Sequence, residues 1–220
     1  MITKPVQLEL SKSVVIIVAH PDDETLWAGG TLLSNPSWEC FVVCLCRGSD
    51  RDRAPKFHTA LNELGATGAI ADLDDGPDQK PLKAGLIESA ILELLPSKQY
   101  DLIITHSPRG EYTRHRRHEE VGKAVIKLWG DHVLSTDALW CFAYEDGDRA
   151  YHPRPIKIDT SYNKLTPQIW NRKYDIITRT YGFNEGSWEA ATTPQAEAFW
   201  QFDNAANAKN WANTKQQAKL

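Results

Sequence analysis

Short apolar runs alternate with stretches of helical periodicity along most of this chain. Val14-Val15-Ile16-Ile17-Val18 is apolar at every position, the pattern of a parallel strand buried on both faces. The runs 40–46, 101–105 and 138–144 predict further strands of this kind, and Ala69-Ile70-Ala71 a short one. Between them the period changes to that of a helix. The spacing predicts helices over 24–33, stopped by Asn35-Pro36, and over 55–64, with Phe57, Ala60, Leu61 and Leu64 inward and Gly65 as C-terminal cap. Another is expected over 83–95, burying Leu86, Ile87, Ala90, Ile91, Leu94 and Leu95, and a fourth from His115 to about Trp129. The order β-α-β-α-β-α-β-α-β predicts an α/β fold: a mostly parallel sheet with helices on both faces, a Rossmann-like three-layer sandwich.

The ends are less regular. Val6-Gln7-Leu8-Glu9-Leu10 alternates like a short edge strand. After Glu145 the texture changes: Ile156 to Asp159 alternates like a strand, and 166–181 has the spacing of a helix with Ile169, Ile176 and Ile177 inward. Beyond Gly182 the chain is rich in Ala, Asn, Gln and Trp, and one or two helices are expected. The 220 residues suit one domain, with a core over about 14–145 and a C-terminal elaboration over 146–220.

Composition narrows the function classes. A net charge of -4 gives no electrostatic footprint for nucleic acid. No apolar run reaches transmembrane length and the first residues lack a signal-peptide core, so a cytoplasmic location is expected. Cys40, Cys44 and Cys46 share one face of a predicted strand. One strand cannot wrap three ligands around a metal, so with Cys141 they read as buried thiols of a reducing compartment. Most of the eight tryptophans read as core or interface residues, with sugar stacking the alternative for one of them. The acidic run Asp72-Leu73-Asp74-Asp75-Gly76-Pro77-Asp78 lacks the order and terminal glutamate of a calcium loop and reads as a solvated turn.

Chemistry concentrates at two turns. Ala19-His20-Pro21-Asp22-Asp23-Glu24 follows the first strand, at the sheet edge where open α/β folds bind ligands. Its crowded carboxylates repel unless a cation or proton neutralises them. A divalent metal would do so, ligated by imidazole and carboxylate. His115-Arg116-Arg117-His118 opens a helix after the strand 101–105 and the loop Ser107-Pro108-Arg109-Gly110, and its histidines stand one turn apart. If the two strands are neighbours, the two motifs face each other. Asp22 or Asp23 could instead cap the helix, and His20 could be a hydrogen-bonded turn residue.

The pair of motifs resembles the PIG-L/LmbE-like family of zinc-dependent deacetylases acting on N-acetylglucosamine-containing substrates, over roughly residues 14–181. The resemblance implies His20, Asp23 and His118 as ligands of Zn²⁺, Asp22 as general base, and His115 as a cationic group that stabilises the oxyanion and protonates the leaving amine. Glu24 and His106 would support the site. Arg53 would contact substrate at the rim, and Tyr112 would polarise the amide carbonyl. The substrate implied is a small N-acetylated sugar or glycoconjugate, and a homo-oligomer is a candidate assembly. The chain departs from the familiar His-Pro-Asp-His: Arg116 and Arg117 replace the proline and aspartate. Nearby cations would lower the pKa of His115. The replacement also motivates a second reading, a carbohydrate-binding protein that keeps the metal without turnover. A phosphoesterase is a third, short of the carboxylates a two-metal site needs.

Overall fold

A computed structural model describes residues 11–113 and 115–214; the strand expected over 6–10 lies outside them. The elements run β1 (Ser13–Val18), α1 (Asp23–Ser34), β2 (Glu39–Cys46), α2 (Arg53–Leu64), β3 (Thr67–Leu73), α3 (Ala84–Leu94), β4 (Gln99–Thr105), α4 (Arg116–Gly130) and β5 (Ser135–Phe142). Then come a hairpin of β6 (Tyr144–Glu145) and β7 (Arg154–Pro155), β8 (Ser161–Lys164), α5 (Pro167–Asp175), a π-helical turn (Ile176–Thr180), α6 (Trp188–Thr192), β9 (Ala196–Phe202) and α7 (Ala205–Asn213). No described helix is long and apolar enough to cross a membrane.

Seven strands form one sheet in the order β3-β2-β1-β4-β5-β9-β8, parallel through β5 and antiparallel at β9 and β8. Alternation along β1 supplies both faces of the sheet. Val14, Ile16 and Val18 pack with α1, α2 and the π turn, through Leu26, Trp27, Phe57, Leu61 and Ile177. Val15 and Ile17 pack with α3, α4 and α7, through Ile91, Val125, Trp129 and Ala208. The layers are therefore helix, sheet, helix. From β1 the chain winds outward to β2 and β3, then returns to β4 on the other side, so β1 and β4 flank the topological switch point. Crevices at such points, outside the carboxyl ends of the strands, bind ligands.

Several expectations are corrected. The segment around Ile156–Asp159 is a turn with Ile158 76% exposed, and the strands flank it instead. Leu86 is 48% exposed because α3 buries only Ile87, Ala90 and Ile91. The tail holds two helices, but also β9, which was not expected and lies inside the sheet between β5 and β8. All four cysteines are free and buried.

Gly122 fixes how α4 meets the sheet edge. A Cβ there would come within 2.5 Å of the His106 carbonyl and 2.8 Å of the Pro108 nitrogen. The helix thus lies against the backbone after β4, bringing His115 and His118 over the end of β1.

Candidate metal centre and active site

β1 ends at Val18, and the chain turns through His20-Pro21-Asp22 into α1. Asp22 stands at the cap position with φ 115°, a strained conformation for a residue with a Cβ. Its side chain makes no capping bond; its Oδ2 accepts from Arg53 Nη1 at 3.1 Å, so the cap reading fails. The strained turn is held by its own helix, with Thr25 and Leu26 N–H donating to the Asp22 carbonyl. Glu24 holds it as well. Fully buried, it accepts the Asp22 N–H at 3.1 Å, the Thr25 hydroxyl at 2.5 Å and the Tyr181 hydroxyl at 2.8 Å.

β1 and β4 pair directly, so the two histidine turns converge. His20 Nδ1 lies 3.3 Å from His118 Nε2 and 3.2 Å from Asp23 Oδ2; His118 Nε2 lies 3.4 Å from Asp23 Oδ1. Donors bonded at about 2.0–2.2 Å to one tetrahedral ion sit roughly 3.3–3.6 Å apart. The two imidazole nitrogens meet that spacing, and Asp23 offers a different oxygen to each of them, so the three residues fit a divalent ion with the carboxylate bridging the gap between the rings. Two donor sets lie mutually within 4.8 Å, His20–His115–His118 and Asp23–His106–His118, and they share His118. His106 is already committed: Nδ1 faces Glu111 Oε2 at 2.9 Å, and Nε2 accepts the Ala19 N–H at 3.0 Å. Burial opposes its charge, but Glu111 and Asp23 push its pKa up to about 9, whereas the Ala19 bond requires a lone pair on Nε2.

A carboxylate stands behind each imidazole, hydrogen-bonded to His118 and in contact with His20, the place such groups take behind histidines that bind metal. His118 Nδ1 lies 2.6 Å from Glu111 Oε2, which leaves its Nε2 lone pair facing His20. Glu111 Oε1 accepts the Ser107 N–H at 2.8 Å. On the other side, His20 Nε2 lies 3.2 Å from Asp75 Oδ1, off the line of a hydrogen bond and otherwise unpartnered. Asp75 belongs to the acidic turn expected to be solvated. Asp72, Asp74 and Asp78 are exposed, but Asp75 turns inward. Neither Glu111 nor Asp75 was singled out from the sequence. Each is one acidic residue in a polar loop, and only the fold says which faces a histidine.

The charges explain the titration of the cluster. Burial would raise the Asp23 carboxyl, yet His118 and His106 hold it well below the usual range. Asp22 is raised well above that range, by burial first and then by Asp23, with Arg53 opposing. Burial and the neighbouring His118 and His20 lower the pKa of His115 to about 2. The expected depression at His115 is present, but the arginines are not its cause. Arg116 is exposed and Arg117 is bonded elsewhere. His115 is therefore neutral rather than the expected imidazolium.

A cavity of about 240 Å³ opens beside these groups, lined by His20, Asp22, Arg53, Tyr112, His115 and Trp188 among others. The Tyr112 ring stands edge-on to His115 at 5.4 Å and to Trp188 at 4.9 Å. Burial keeps its phenol protonated, with the nearby carboxylates acting in the same direction. Arg53 also lies over the Phe183 ring, 4.3 Å from its centroid.

The chain is 27% identical over 187 residues to an uncharacterized protein of Acanthamoeba polyphaga mimivirus, covering 78% of this chain and 76% of that one. Among solved structures it resembles the N,N'-diacetylchitobiose deacetylase of Pyrococcus horikoshii, with TM-score 0.66 and 17% identity over 94% of this chain and 88% of that one. Teicoplanin deacetylase Orf2 is similar at TM-score 0.60 and 14% identity, over 86% and 97%. The 4-carboxy-2-hydroxymuconate hydratase of Pseudomonas putida shares the fold at TM-score 0.55 and 18% identity, over 82% and 83%. The sequence model of PIG-L, GlcNAc-PI de-N-acetylase, matches residues 15–129. That segment runs from β1 nearly to the end of α4 and contains both histidine turns whole, so the chain belongs to the PIG-L family.

Proposed function

We propose that this protein is a zinc-dependent hydrolase that removes the acetyl group from an N-acetylated amino sugar or its conjugate. One observation carries the reading: the nitrogens of His20 and His118 and the two oxygens of Asp23 face one another at 3.2–3.4 Å, beside a cavity lined by a separate, partly buried carboxylate, Asp22. Family membership and the two deacetylases of the same fold support the acetyl amide as substrate. Four buried free thiols suit a reducing, cytoplasmic setting.

His20, Asp23 and His118 would hold the ion, which when bound would supply Lewis-acid polarisation and lower the pKa of water toward about 7. Asp22 does the proton work. Its raised pKa makes it a stronger base than an ordinary aspartate, and a carboxyl able to give the proton back. It takes a proton as water attacks the acetyl carbonyl carbon, and returns it to the amine nitrogen as the C–N bond breaks. Neutral His115 and the Tyr112 hydroxyl donate hydrogen bonds to the oxygen that gains charge. Arg53 keeps the Asp22 carboxylate aimed at the cavity.

The test is amine release from a panel of N-acetylated amino sugars, with zinc and then with a chelator. Turnover that disappears on chelation is the expected result. Sugar binding without turnover of any substrate would favour the carbohydrate-binding reading. The hydratase of this fold shows that architecture does not choose the reaction, so water addition to an unsaturated acid without amine release would overturn the proposal.

Trp188, at the start of α6, is 37% exposed and lines the cavity against Tyr112. It is the tryptophan placed to take the face of a sugar ring. Trp188→Ala is expected to raise KM for a sugar substrate roughly fivefold, about 1 kcal/mol of ring contact, with kcat within twofold. Steady-state kinetics reads both, and an unchanged KM would remove Trp188 from the site.

A further inference from the structure

We propose that Asp75 is a positioning residue for His20, and that Arg117 holds Asp75 in place through the acidic turn. The inference rests on the metal reading above and assigns a task to the arginine that departs from the family motif.

Arg117 is 1% exposed, and none of its bonds goes to the cavity. Its Nε donates to the Asp74 carbonyl at 2.6 Å and its Nη2 to the Lys80 carbonyl at 2.9 Å, with Asp74 Oδ2 at 3.4 Å. Its Nη1 donates to Glu120 Oε2 at 2.6 Å, and the other oxygen of Glu120 accepts the Leu82 N–H at 3.2 Å. One guanidinium thus ties α4 to both ends of the loop after β3. A lysine could not match this, since its donors diverge from one nitrogen instead of a planar fork.

Asp75 lies between those two anchors. Arg47 donates to its Oδ2 through Nε at 3.1 Å and Nη2 at 2.8 Å, and Gln79 donates to Oδ1 at 2.8 Å. Oδ1 is the atom 3.2 Å from His20 Nε2. His20 has its other nitrogen, Nδ1, toward Asp23 and His118. Each ligand imidazole then has a carboxylate behind its outer nitrogen: Glu111 hydrogen-bonded to His118 at 2.6 Å, and Asp75 3.2 Å from His20 Nε2, within reach of a hydrogen bond that a small turn of the His20 ring would complete. Such a carboxylate fixes the ring and its tautomer and raises its basicity as a ligand. Glu111 is held from its own loop, whereas Asp75 comes from a loop that needs a clamp, and α4 supplies one a single position before the ligand His118.

Zinc affinity of the metal-free protein, titrated against a fluorescent chelator, tests this without reference to turnover. Asp75→Asn is expected to weaken zinc binding by about 10- to 100-fold. Arg117→Gln is expected to weaken it by about tenfold, and Arg117→Lys should not restore it. With Asp75 already Asn, the Arg117 change should add little, because both act through one contact. Asp78→Asn removes the same charge from an exposed position of the same loop and should leave affinity within twofold. Thermal unfolding of each variant shows that it is folded; if Arg117→Gln is not, Asp75→Asn and Asp78→Asn decide alone. Wild-type affinity in Asp75→Asn, or an equal loss in Asp78→Asn, would overturn the assignment. If the first occurs while Glu111→Gln weakens binding, the metal centre stands and only the role of Asp75 fails. If the unaltered protein binds no zinc, the metal reading fails first.

Discussion

Asp22→Asn is expected to lower kcat by two to four orders of magnitude while zinc affinity stays within a few-fold of the unaltered protein. A positioned general base or acid contributes about 10²–10⁴ in rate, and one residue serves here in both directions. The amide oxygen of Asn can still accept from Arg53, so the shape of the cavity is retained while the proton acceptor is lost. The neighbour makes the control. Asp23 faces both imidazoles and the Trp27 indole N–H, so Asp23→Asn should reduce zinc affinity along with activity. Adjacent aspartates with separable losses would show that the turn at φ 115° aims one carboxylate at the donors and the other at the cavity. If Asp22→Asn keeps more than a tenth of the activity on a substrate the unaltered protein turns over, the base is another group.

The parts of this arrangement legible in the sequence are those written locally. β1 and β4 are buried on both faces, so each is a nearly unbroken apolar run, and the two histidine turns directly follow those runs. The convergence of the turns then needed only the pairing of β1 with β4. β9 carried no such signal. Ala196, Ala198 and Phe199 are buried, but so is Glu197 between them, and a carboxylate within an Ala-rich tail reads as a helix or a surface. β8 is polar and mostly exposed at the sheet edge, so neither alternation nor burial marks it. Asp75, Glu111 and Arg117 are a different case. Their types were visible, but each acts through a partner dozens of positions away or across a loop, and no local pattern encodes that. Arg117, read as a threat to the charge of His115, spends its donors on the loop after β3.

Glu197→Leu is expected to cost about 3–5 kcal/mol of stability, a fall in Tm of roughly 6–20 °C for a chain of this length. The replacement has similar bulk, so the loss is electrostatic rather than a cavity. Glu197 of β9 and Lys173 of α5 are both fully buried, with Nζ 2.7 Å from Oε1. Oε1 also accepts the Gly30 N–H at 2.7 Å, and Oε2 the Thr31 N–H and hydroxyl at 2.6 Å. Leucine would therefore strand the Lys173 amine and three donors of α1. Burial lowers the pKa of Lys173 and Glu197 opposes that shift, so without the glutamate the lysine sheds its proton instead of staying charged in an apolar interior. Lys173→Met should cost less, because the carboxylate keeps all three of its α1 donors. Chemical denaturation of the two single variants and the double gives the order: Glu197→Leu largest, Lys173→Met smaller, and the double below the sum. Equal losses in the two single variants would mean that the ion pair alone, and not the grip of β9 on α1, holds the C-terminal strand in the sheet beneath the active-site helix.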